Sequence, residues 1–157
     1  MLTLKTTETA IVKHRATLPA WIEPKGAAFI EIDGRPAGRI NQAFMAARER
    51  IDLARRIREA GAQAITDPGE AVKAKDEAGS GFARDWYGVV YDTCVVGWRT
   101  NLLDGETGKP LTCDRDTFMA LVGVPIAEVS QVFLSFQAAI LEAGKQVEED
   151  TEATIKN

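Results

Sequence analysis

Phe82-Ala83-Arg84-Asp85-Trp86-Tyr87-Gly88-Val89-Val90-Tyr91-Asp92-Thr93-Cys94-Val95-Val96-Gly97-Trp98 is the stretch whose conformation decides the fold. It holds five of the chain's 11 aromatic residues, valines fill most of the gaps, and Asp92 is the only charge between Asp85 and Arg99. A segment apolar on all sides has to be surrounded, either by its own domain or by a partner. Its β-branched content suits a buried strand, and periodicity alone does not arbitrate. Length and the four-residue spacing of Phe82, Trp86, Val90 and Cys94 favour a helix. Trp86, Tyr87, Tyr91 and Trp98 also offer wide, stiff contact surface at low entropy cost, as found at interface hot spots. Core and interface are both open readings, and they coincide if the core of one copy is incomplete.

Toward the C-terminus, residues 101–110 form a turn-rich loop with Asp104-Gly105 and Thr107-Gly108. Thr112 reads as the N-cap of a short helix over 113–122, with Asp114 and Asp116 in its first turn and Gly123 at its end. Pro125 opens a longer helix. Its stripe is Ile126, Val129, Phe133, Phe136 and Ile140, which Gly144 weakens. From Glu148 onward a polar tail is expected to fray.

Toward the N-terminus, residues 61–81 read as a linker. Thr66-Asp67-Pro68-Gly69 is a turn signal, and Val72 is the one large apolar residue among Lys73, Lys75, Asp76 and Glu77. Residues 37–60 carry the clearest helical pattern: Ile40, Phe44, Ala47, Ile51, Ala54 and Ile57 recur at steps of three and four, Leu53 flanks them, and Gly61 is the expected stop. Residues 1–34 lean toward strand, with Leu2 and Leu4 alternating with polar neighbours and Pro19 and Pro24 confining any sheet to edges. Ala28-Phe29-Ile30-Glu31-Ile32 is the best strand, and Asp33-Gly34 behind it is a two-residue turn signature. No internal repeat and no heptad run is found. The expectation is an α+β chain, predominantly α: a short N-terminal β element followed by a small helical bundle. It divides into residues 1–60, a 61–81 linker, and a helical region over 82–157.

A length of 157 residues sits near the modal size of one domain. The net charge of −4 argues against whole-chain affinity for nucleic acid or anionic membrane. No apolar run reaches the length of a membrane span, and Met1-Leu2-Thr3-Leu4-Lys5 has no secretory h-region. Cys94 and Cys113 fit neither a disulfide framework nor a zinc site. His14 is the sole histidine, so no metalloprotease motif, His-based triad or Cys-His pair is supported. The glycines form neither phosphate-binding motif, and no cofactor is expected.

Three charged features remain. Asp114 and Asp116, as a general acid and base or as magnesium ligands, would point about 200° apart on a helix. Their place in a first turn is reason enough for them to exist. Asp92 would need a cation or donor if buried, with Arg84 or Arg99 as candidates. From Arg35 through Arg58 seven arginines stand against Glu49 and Asp52. Arginine forks suit phosphates, but these surround the helix, have acids to pair with and lack aromatic stacking partners. An acidic protein partner is a further option.

The order from residue 88 onward resembles that of the tail assembly chaperones of long-tailed bacteriophages. Val95-Val96-Gly97-Trp98 is followed by a polar turn with Asp104-Gly105, then Gly108-Lys109-Pro110-Leu111. Thr112-Cys113-Asp114-Arg115-Asp116-Thr117-Phe118 then opens a helix before the last amphipathic one. The resemblance covers under half of the chain, and the 61–81 segment and the aromatic-rich second helix depart from it. It implies a non-enzymatic protein of the host cytoplasm that holds the tape-measure protein and recruits tail-tube subunits, with self-association as an option. Val95, Gly97, Trp98 and Pro110 are its signature positions. The partner-binding candidates are Trp86, Tyr87, Tyr91, Trp98, Phe133 and Phe136. A virion structural role, as a head–tail connector or tail component, and a nucleic-acid-binding module using Arg48, Arg55, Arg56 and Arg58 are the alternatives.

Overall fold

The computed structural model describes residues 10–19, 22 and 27–156. The expected alternation at Leu2 and Leu4, and Pro24, lie outside them. The described chain is α+β and predominantly α, with three strands and four helices: β1 (Val12–Thr17), β2 (Phe29–Gly34), α1 (Gln42–Gln63), α2 (Pro68–Cys94), β3 (Val95–Thr100), α3 (Arg115–Val122) and α4 (Ala127–Lys156).

The strands form one antiparallel sheet in the order β1-β2-β3. In β2 the period-two pattern separates the faces: Ile30, Ile32 and Gly34 are buried, while Phe29, Glu31 and Asp33 are half-buried on the other side. Register places Ile32 between His14 and Trp98, and Glu31 between Arg15 and Arg99. The outer face therefore carries an Arg15–Glu31–Arg99 cluster, with the Arg15 guanidinium 4.2 Å from the Phe29 ring centre. The inner face packs on α4. Phe133, Phe136 and Ile140 join Ile30, Ile32, Phe44, Val90, Trp98 and Phe118 in a single core. Each fully buried side chain of this size contributes about 1.5–3 kcal/mol relative to exposure.

Asp33-Gly34 is not a turn. Both residues belong to β2, and the pairing with β3 shifts there. A Cβ on Gly34 would lie 2.7 Å from the enclosed Phe136 ring, so the glycine serves close packing. The chain then crosses α4 before it can turn helical: Ala37 N–H donates to Ile140 O at 2.9 Å, and Arg39 N–H donates to the Glu148 carboxylate at 2.8 Å. This crossing delays the helix expected from residue 37 until Gln42. Asn41 caps it, accepting from Phe44 N–H while its amide donates to Pro36 O and Thr93 O. That one buried amide ties the start of α1 to the end of α2.

The 61–81 linker is replaced by a turn over residues 64–67 and the first half of α2, and Gly61 lies inside α1. Asp67 caps α2, accepting from Glu70 N–H at 2.8 Å, and Pro68 occupies the first turn. The segment has only Ile65 and Val72 as large apolar residues, because its partner is α1 alone. Small side chains, with Ala62 and Ala78 buried, suffice when two helices meet closely. At 27 residues α2 is about 40 Å long, and it forms an antiparallel arm with α1.

The helix favoured for 82–98, and the helical region expected over 82–157, are interrupted by a strand. The helix runs to Cys94 and the chain enters β3 at Val95 without an intervening residue. The N-cap of α3 is Asp114 rather than Thr112, accepting from Thr117 N–H at 2.8 Å. The expected fraying tail is helical to Lys156, anchored at its root by Val147 in the interior and the Glu148–Arg39 contact. No single helix among the described residues is long and apolar enough to cross a membrane.

Candidate partner-binding surface

The six aromatic candidates fall into two groups. Trp98, Phe133 and Phe136 are enclosed, with Trp98 6% exposed and both phenylalanines 1%. Trp98 donates its indole N–H to Asp114 O at 3.2 Å and meets Phe118 edge-on at 5.8 Å. Phe118 in turn stands perpendicular to Phe133 at 5.1 Å. These rings join the sheet to α3 and α4, and in this conformation they offer no contact surface.

Trp86, Tyr87 and Tyr91 are half-buried. Tyr91 leans on Phe118 at 4.9 Å. Trp86 touches the core by its edge against Phe44 at 5.6 Å, and its other neighbour is Phe82, nearly parallel at 6.4 Å. Phe82 carries the Arg55 guanidinium 4.5 Å from its ring centre. Phe82, Trp86 and Tyr87 line an open cleft of about 460 Å³, together with Arg48, Asp52 and Arg55 of α1 and Gln137 of α4. Partial burial pushes the Tyr87 phenol above its ordinary value, so it stays a neutral hydroxyl. The cleft thus has an aromatic wall and a charged rim. Phe82 was absent from the sequence-derived candidates; its four-residue step from Trp86 is the signal that places it there.

Of the remaining charged candidates, Asp92, Asp114, Arg48, Arg55 and Arg58 have structural partners. Asp92 is met by Arg115, not by Arg84 or Arg99, through two hydrogen bonds of 2.8 and 3.0 Å across α2 and α3. Asp114 spends its carboxylate on the helix cap, and the Thr117 N–H holds it below the ordinary carboxylate range. On α1, Arg48 and Arg55 pair with Asp52, Arg55 also with Glu59, and Arg58 with Asp85. No group of His, Cys, Asp and Glu among the described residues could hold a metal ion. No known family model matches this chain, and no curated protein or solved structure matches it either.

Proposed function

We propose that the protein is a tail assembly chaperone of a long-tailed bacteriophage, which works in the host cytoplasm, holds the tape-measure protein and recruits tail-tube subunits. The observation that carries this reading is the half-open aromatic cleft at Phe82, Trp86 and Tyr87. Its apolar wall suits one row of an amphipathic helix, whose anchors recur at three and four residues. Its rim of Arg48, Asp52 and Arg55 suits the polar flanks of the same helix. The Val95–Trp98 and Gly108–Leu111 segments that carry the family resemblance add support from outside the cleft.

Co-expression with overlapping tape-measure segments tests it. A tagged chain should retain at least one helical segment through purification, and Phe82→Ser or Tyr87→Ala should release that segment while leaving the far-ultraviolet circular dichroism unchanged. Purified particles should lack the protein by mass spectrometry. Failure to bind any segment, or stoichiometric presence in the particle, overturns the reading, the second in favour of a virion component.

A further inference from the structure

The face of α1 turned away from α2 is uncovered. Leu53 is 59% exposed and Ile57 64%. They belong to a longer row, Ala46, Arg50, Leu53, Ile57 and Ala60, whose steps are four, three, four and three, and every member is exposed. This is the seam spacing of a two-stranded coiled coil, in which a helix buries one row against another helix. The seam escapes a search for heptads because alanines and one arginine occupy most of its positions. The stripe with larger residues, Phe44 and Ile51, is already turned toward the body of the molecule.

The flanking charges identify the occupant. Arg48, Arg55 and Arg58 are engaged within the chain, whereas among the described residues Glu49, Arg50 and Arg56 make no ion pair. Glu49 and Arg56 lie one heptad apart on the same flank of the seam. Two copies of α1 laid antiparallel, with the two-fold axis beside residues 51 and 52, set Glu49 of each against Arg56 of the other. The same register sets Gln42 against Gln63 on that flank, Leu53 against the aliphatic stem of Arg50, and Ile57 against Ala46. The opposite flank presents the half-buried Ala54, small enough for close approach, next to Ala47, which packs against the chain's own core. A parallel pair would instead stack Arg50 on Arg50 and leave Glu49 and Arg56 without opposite charges. The face is therefore complementary to itself, as a closed two-fold interface requires.

We propose that the protein forms an antiparallel homodimer through this seam of α1. The proposal does not rest on the chaperone reading, since it concerns the purified chain alone. Analytical ultracentrifugation over a concentration series, with reductant present to keep the exposed Cys113 from cross-linking, should show the mass rising from 17.1 kDa to twice that value. Leu53→Asp and Ile57→Asp, at positions already in water in the monomer, should abolish the rise with unchanged circular dichroism. Glu49→Arg or Arg56→Glu alone makes both inter-copy pairs repulsive and should raise the dissociation constant about tenfold. The double exchange Glu49→Arg/Arg56→Glu should restore it. A monomer at every concentration, a dimer indifferent to Leu53→Asp, or a double exchange no better than the singles overturns the proposal.

Discussion

A hydrogen atom is all that position 144 of this chain can carry. A Cβ there would lie 1.5 Å from Ala37 O and 2.6 Å from Ala37 C, where the loop after β2 crosses α4. In sequence Gly144 looks like a flaw in an amphipathic stripe; in the fold it is the notch that admits the crossing strap. Gly144→Ala should cost about 3 kcal/mol or more, because backbone must move to make room. A lowered urea midpoint at unchanged slope would register it. Three carboxylates with polar partners give a second residue-scale prediction. Glu31, hydrogen-bonded by Arg99 and flanked by Arg15, titrates below its ordinary 4.5, and Asp104 and Asp114 titrate below 3.8 because backbone N–H groups favour their charged forms. A carboxyl with a lowered folded value stabilises the fold fully above its unfolded value, and that contribution is lost as pH falls through the folded one. Urea titrations should show stability holding down to about pH 5 and declining below about pH 4. Arg99→Gln should flatten that decline. Such partnerships are hard to read from sequence, as Asp92 shows: its cation is Arg115, 23 residues away, delivered by the packing of α3 on α2.

The two long elements of the arm show where sequence patterns carry structure and where they do not. An amphipathic stripe is written in large residues only where a helix faces a thick core, so the Phe44–Ile51 half of α1 is legible. The distal arm meets only another helix, and a seam of alanines satisfies it without any marked periodicity. That is why residues 61–81 resemble a linker. The physical signs were present nonetheless: Asp67 before Pro68 is a good cap, and Ala71, Ala74 and Ala78 recur at helical steps. Gly79 stands inside α2 with open space around its would-be Cβ. Gly79→Ala should therefore stabilise the protein by about 0.5–1 kcal/mol through lost freedom of the unfolded chain, seen as a higher urea midpoint. A truly unstructured segment would show no change. The aromatic stretch was legible as a helix up to Cys94 but not in its change to strand, because Val89-Val90 inside the helix and Val95-Val96 inside the strand are alike in sequence.

At the scale of the whole molecule, the fold class follows from two signals, the strict alternation in β2 and the stripes of α1 and α4. The candidate surface was legible by composition but not by orientation. Nothing in the sequence distinguishes Trp98, which is enclosed, from Trp86, which faces a cleft, because that difference arises from which helix or strand happens to pass behind each ring. The direct passage from α2 into β3 has a consequence for how this molecule tolerates changes in length. One residue inserted between Cys94 and Val95 would turn the whole arm by about 100° and invert the in-and-out order of the third strand. The same insertion within residues 64–67 would merely loosen the far bend. Scanning single-alanine insertions and scoring soluble yield should reveal a permissive tip and a forbidden root, so that a gene of this kind can lengthen or trim its lever freely while its fulcrum stays fixed in register.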